Sequence, residues 1–310
     1  MSKIRYLSTI FALLLVACLA CSLAVAQQFS GWSAPVNLGP SINTQFSEFH
    51  SAISADGLSL FFASDRPGGF GGNDLWVTQR PNRNSDWGQA QNLGPSFNTP
   101  LDEASLELSP DGHWLFFASD GLEGGHTFQI YAAFRNNTSD NLGWEQPFNI
   151  GKGVNTPFDN ADPTLFIDPE TGVLTLYFAR LNRPRNSGDW DIYASTMNKD
   201  GTFSSAVLVP ELSSPYRDTH PTIRRDGLEI FLSSNRPGSF DGSIDLWVST
   251  RPTTHDVWST PVNLGPTINT PSQDRAPYLS DDGETLLFTS DRPGGFGNND
   301  FYMVTRKISH

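Results

Sequence analysis

The sequence predicts an all-β protein, a five-bladed β-propeller made of four-stranded antiparallel blades, and three observations predict it. A unit of roughly 55 residues is written five times, marked by Trp32, Trp87, Trp144, Phe203 and Trp258 at spacings of 55, 57, 59 and 55. Each unit holds four short strand-like segments separated by turn residues. One unit is divided between the two ends of the chain. A unit of this size cannot bury its apolar face alone and needs neighbours, and four-stranded sheets repeated radially make a propeller.

In chain order, residues 1–26 read as a secretory signal. Lys3 and Arg5 form a charged start, Leu7 to Leu23 is apolar, and Ala24-Val25-Ala26 is a small-x-small cleavage site before Gln27. A transmembrane anchor fits less well, because Ser interrupts the apolar stretch and a processing site ends it. Leu15-Val16-Ala17-Cys18 also fits a lipobox, so a lipid anchor through Cys18 is the alternative. The expected location is the periplasm or the exterior, without membrane insertion after cleavage. Residues 27–310 read as one domain and a monomer. Both cysteines, Cys18 and Cys21, lie in the signal, so the mature chain has no disulfide and no thiolate zinc site. The formal charge of −13 becomes more negative without Lys3 and Arg5, which disfavours nucleic acid and anionic lipid as partners.

The domain opens on a lone fourth strand, Trp32 to Leu38. The first complete unit then runs His50 to Ser54, a turn at Ala55-Asp56-Gly57, Leu58 to Ser64, Asp74 to Gln79 and Trp87 to Leu93. Asp111-Gly112, Asp226-Gly227 and Asp282-Gly283 repeat the turn, where glycine takes positive φ at little cost. The third unit replaces it with Asp168-Pro169-Glu170-Thr171-Gly172. Links such as Gly94 to Pro100 are too long for hairpins. They suit a chain crossing from the outer strand of one sheet to the inner strand of the next, roughly 14 Å away. The chain finishes on a third strand, Phe301 to Thr305. Pairing it with Trp32 to Leu38 closes the ring and leaves no open edge.

Ser54-Ala55-Asp56-Gly57 through Phe62-Ala63-Ser64-Asp65-Arg66, followed by Asp74-Leu75-Trp76, resembles the WD-repeat-like propeller repeats of TolB-type exported proteins. The resemblance covers nearly all of residues 32–305. It implies binding or scaffolding in the bacterial envelope or outside the cell. The chain departs from TolB itself in lacking the preceding α/β domain and in its blade count.

Three sets of residues are candidates for chemistry. The Asp-Arg-Pro-Gly-Gly-Phe-Gly loops carry Asp65, Asp74, Asp291 and Asp300, which could give oxygens to calcium or another divalent cation; no other cofactor is expected. Because most blades carry such a loop, the same residues also read as the blade's fastening. Trp76, Tyr131, Tyr193, Trp247 and Tyr302 share one repeat position and should pack between blades. The third set opens each first strand: Glu48, Glu103, Asn160, Asp218 and Asp274, followed two residues on by His50, Ser105, Asp162, His220 and Ala276. Residues i and i+2 of a strand point the same way. Glu48, His50, Glu103, Asp162, Asp218, His220 and Asp274 should therefore ring one mouth of the channel as a ligand site, unless the acids cap turns. The function expected from this is a non-catalytic module that binds a protein or glycan. The alternative is a glycan-cleaving hydrolase, which should show a deep pocket with dissimilar acids from different blades.

Overall fold

The computed structural model describes residues 29–181 and 190–309; the expected signal, its cleavage site and Cys18 lie outside the described residues. The chain forms five four-stranded antiparallel sheets. The latch strand β1 (Val36–Asn37) comes first. Blade 1 follows as β2 (Glu48–Ile53), β3 (Ser59–Ser64), β4 (Asp74–Gln79) and β5 (Gln91–Asn92), and blade 2 as β6 (Glu103–Leu108), β7 (Trp114–Ser119), β8 (Gln129–Phe134) and β9 (Phe148–Asn149). Blade 3 is β10 (Asn160–Ile167), β11 (Leu174–Leu181), β12 (Trp190–Thr196) and β13 (Val207–Leu208). Blade 4 is β14 (Asp218–Ile223), β15 (Glu229–Ser234), β16 (Asp245–Thr250) and β17 (Val262–Asn263). Blade 5 is β18 (Asp274–Leu279), β19 (Thr285–Ser290) and β20 (Asp300–Thr305), completed by β1. Among the described residues, helix amounts to one 3-10 turn at Phe240–Gly242.

Ring closure follows the expected pairing. Val36 sits opposite Met303 and Asn37 opposite Tyr302. The latch extends beyond the strand, with Ser30 N–H donating to Lys307 O at 2.8 Å, Ser33 to Thr305 at 2.8 Å and Leu38 to Phe301 at 3.0 Å. The expected fourth strands of about seven residues are much shorter. Only two residues of each keep ladder pairing, and the flanking length is held by isolated main-chain bonds such as Gly88 N–H to Gln79 O at 2.8 Å and by side chains. In blade 1, for example, Thr78 Oγ1 donates to Gly88 O at 2.7 Å.

Apolar layers fill the spaces between blades. Phe61, Phe117, Phe178, Phe231 and Phe288 of the second strands are all fully buried. The aromatics of the third strands pack as expected, with Trp76, Tyr131, Trp247 and Tyr302 buried. In four of the five units the opening aromatic is stacked by an arginine that follows a third strand: Arg80 over Trp87 at 4.2 Å, Arg135 over Trp144 at 4.4 Å, Arg251 over Trp258 at 4.3 Å and Arg306 over Trp32 at 4.4 Å. The same four arginines donate Nε to the carbonyls of Gly57, Gly112, Gly227 and Gly283. The Asp-Gly turns are thus tied to the layers beneath them, and those glycines have φ between 70° and 75°.

A second clasp joins each blade to the connection that leaves it. Asn98 accepts from Leu75 N–H at 2.7 Å and donates to Leu75 O at 3.0 Å. Asn43 does the same to Phe301, Asn155 to Ile130 and Asn269 to Leu246. In blade 3 Ser213 stands in, accepting from Ile192 N–H at 3.1 Å and donating to Ile192 O at 3.4 Å. Each amide oxygen takes a third-strand N–H, and each amide nitrogen adds a second donor to a carbonyl that the outer strand already reaches.

Candidate active site in the axial cavity

Every inner strand carries the same irregularity. His50, Ser105, Asp162, His220 and Ala276 have φ between 50° and 56°, and the register slips by one residue at each of them. These are β-bulges. They change where side chains point. The two faces of a blade abut its neighbours, so regular alternation sends side chains into the layers between blades. A bulge residue in left-handed backbone turns its side chain out of that alternation, toward the axis.

The expected seven-residue ring therefore separates into two groups. Glu48, Glu103, Asp218 and Asp274 are fully buried within the blades and are absent from the lining of the axial cavity. Glu48 accepts from Thr44 Oγ1 at 2.7 Å and from Arg66 Nη2 at 2.9 Å. Asp218 is held by Ser214 and Arg236, and Asp274 by Thr270 and Arg292. Glu103 has no arginine, since Gly121 occupies that repeat position; it takes Thr99 and Ser119 hydroxyls at 2.8 and 2.7 Å. The arginines also donate to Ile42, Leu212 and Ile268 carbonyls. These acids fasten each blade to the connection before it. The shared direction expected for i and i+2 fails at the bulge.

His50, Asp162 and His220 converge on the axis. His50 Nε2 lies 2.8 Å from His220 Nε2, with the rings stacked at 4.8 Å. Asp162 Oδ1 is 3.5 Å from His220 Nε2 and 4.0 Å from His50 Nε2. Asp162 also accepts from Ser105 Oγ at 2.5 Å and from His220 N–H at 3.1 Å. His220 Nδ1 meets Thr219 Oγ1 at 2.8 Å, while His50 Nδ1 is buried without a partner. Burial, the imidazole of His220 and the charges of Arg275 and Arg217 push His50 down to about 3, against the pull of Asp162. His220 falls well below its ordinary value through burial and the same two arginines. Both imidazoles are neutral at pH 7.

The axial cavity has a volume of about 30 Å³, room for one or two waters. Two further groups line it that sequence reasoning did not single out. Glu107 lies on β6 two residues beyond Ser105, and accepts from Thr164 Oγ1 at 3.2 Å and Leu165 N–H at 3.4 Å. Burial pushes its carboxyl up to about 8, opposed by those hydrogen bonds and reinforced by Asp281. Tyr278, at the corresponding position of blade 5, donates to Ile53 O at 2.7 Å. The signal for Glu107 was present: Ala52, Thr164, Thr222 and Tyr278 hold the same repeat position, and Glu107 is its one carboxylate.

Glu107 has a consequence for stability. Its folded value exceeds the ordinary 4.5, so from pH 4.5 to 8 the unfolded chain releases a proton that the folded chain keeps. Stability therefore falls as pH rises through that window. Replacing Glu107 by Gln removes this loss. Compared with the parent, Glu107→Gln should gain about 2–4 kcal/mol between pH 5 and pH 8, read as melting curves of both proteins at the two pH values. Parallel curves would contradict the buried, protonated carboxyl.

Each of the four loop acids accepts a main-chain N–H. Asp65 accepts Ser47 N–H at 2.7 Å and Asp291 accepts Gln273 N–H at 2.8 Å. Asp74 accepts Phe70 N–H at 2.6 Å and Asp300 accepts Phe296 N–H at 2.7 Å. Among the described residues, the cluster with ligand atoms close enough to share one ion is His50, Asp162 and His220.

No protein-family model matches the chain, and no curated protein sequence matches it. Solved structures do. An α-L-arabinofuranosidase from Lactobacillus brevis superposes with a TM-score of 0.57 at 15% identity, covering 86% of this chain and 92% of that one. An endo-arabinase from Bacteroides thetaiotaomicron gives 0.56 at 15%, covering 91% and 99%. A TolB-type protein from Agrobacterium tumefaciens gives 0.50 at 16%, covering 91% and 100%. What they share with this chain is the ring.

The resemblance to TolB-type repeats therefore holds at the level of the fold. The expected role as a non-catalytic binding or scaffold module is overturned. Glycoside hydrolases recur among the structures that share the ring, and that likeness is one of fold.

Proposed function

We propose that this protein is a glycan-cleaving hydrolase whose reacting groups lie in the axial cavity. The observation that carries the reading is the break in repetition at the axis. A structural repeat supplies like residues from every blade, whereas an acid–base site needs unlike ones. Here blade 2 gives Glu107, blade 3 gives Asp162, and blades 1 and 4 give histidines, all lining one cavity. The arabinan-cleaving neighbours add support by analogy of fold.

The chemistry divides between two ends of the cavity. Glu107, protonated at neutral pH, is suited to deliver a proton to the leaving oxygen. Asp162, with His50 and His220 beside it, is suited to orient water and take its proton. Glu107 reaches blade 3 at Thr164 and Leu165, the strand that also carries Asp162. We further propose that the protein acts outside the cytoplasm after cleavage behind Ala26, with a glycan as its ligand.

The test is release of reducing sugar from arabinan, arabinoxylan and aryl arabinofuranosides by the purified protein, repeated with Glu107→Gln. The parent should turn over at least one substrate. The variant should lose about 10²- to 10⁴-fold in kcat, the usual worth of a positioned general acid. Absence of turnover across the panel, or equal turnover by both proteins, refutes the assignment.

A further inference from the structure

The three polar atoms on the axis form a ligand set. His50 Nε2, His220 Nε2 and Asp162 Oδ1 are separated by 2.8, 3.5 and 4.0 Å. In the plane of that triangle one point lies about 2.0 Å from each corner, the shortest distance at which one ion can meet all three equally. That is the length of a zinc bond to imidazole nitrogen or carboxylate oxygen. Calcium prefers roughly 2.3–2.6 Å and six to eight oxygens, and neither the size nor the donors suit it.

We propose that His50, Asp162 and His220 bind one divalent transition-metal ion of zinc's size on the propeller axis. Two imidazoles and one carboxylate leave coordination positions free, as at sites where a metal meets water or substrate. The surroundings match. Ser105 Oγ and the His220 N–H hold Asp162 from behind, and Thr219 Oγ1 meets the far nitrogen of His220. Such outer contacts fix the orientation of metal ligands. The bulges make the set possible, since each ligand comes from a different blade at the position turned toward the axis.

The inference deepens the hydrolase reading by naming what would hold the attacking water. It is read without substrate, so its failure and the failure of glycan cleavage are separable.

Chelator-treated full-length protein is titrated with zinc, manganese and calcium by calorimetry, in parallel with His220→Ala and Asp162→Asn. Zinc should bind at one ion per chain and at least 100-fold more tightly than calcium, and each variant should lose at least 100-fold in zinc affinity. A second measurement does not depend on the variants folding. Long-range proton–nitrogen spectra of the parent should show two of its six histidines shifting on addition of one equivalent of zinc. No stoichiometric binding by the parent, calcium preferred over zinc, unchanged binding in both variants, or a shift confined to other histidines overturns the site.

Discussion

Deleting residues 29–38 will abolish cooperative folding, although they are about a thirtieth of the chain. The segment supplies the fourth strand of blade 5 and nothing else can. It brings at least five main-chain hydrogen bonds to β20 and its extension, worth about 1 kcal/mol each. Trp32 packs edge-on against Phe231 at 6.0 Å and under Arg306, and removing such an aromatic costs a further ~3–5 kcal/mol. Asn43 loses its Asn37 partner and Asp300 loses its hydrogen bond from Asn37. The sum reaches the whole stability of an ordinary domain, about 5–15 kcal/mol. Circular dichroism melting should show a broad, non-cooperative transition for the truncated protein. A single sharp transition within a few degrees of the parent would mean that the ring does not depend on its latch.

Arg236→Ala should destabilise the protein by about 3–5 kcal/mol, the range for stripping a buried carboxylate of its partner. Asp218 is fully buried and Arg236 nearly so. The guanidinium also donates to Leu212 O at 2.7 Å and stacks over Trp247 at 5.5 Å, so three contacts disappear together. Replacing Asp218 and Arg236 jointly by Asn and Met should cost less than the sum of the single changes, because no unpaired charge remains. Chemical denaturation of the four proteins gives the coupling. An Arg236→Ala loss below about 1 kcal/mol would put this pair with exposed salt bridges and contradict its role as a fastening.

The fold was legible because a repeat states its own architecture. Five aromatic markers, recurring Asp-Gly turns and a unit split between the ends left one closed arrangement. Less legible was the side-chain direction on the inner strands. Period-two alternation places Glu48 and His50 on one face, and nothing in the pattern announces the bulge between them, which follows from tertiary packing around a tight axis. The acids at position 48 and its equivalents were conspicuous by repetition, yet repetition marks fastening. Glu107 was inconspicuous for the opposite reason, being alone in its column. The Asn-Thr pairs at 43–44, 98–99, 155–156 and 269–270 were also in plain view. Their meaning depends on which backbone groups the short outer strands leave unpaired, and that only the folded chain reveals.

The central claim is that the axial cavity carries function while the repeated acids and arginines carry stability. Glycan turnover and melting temperature, measured together on Glu107→Gln and Arg236→Ala, test it most directly. Glu107→Gln should melt at or above the parent temperature at pH 8 and show no turnover. Arg236→Ala should melt well below the parent and, when assayed while still folded, retain turnover within a few-fold. An inactive but folded Arg236→Ala beside an active Glu107→Gln would contradict the account.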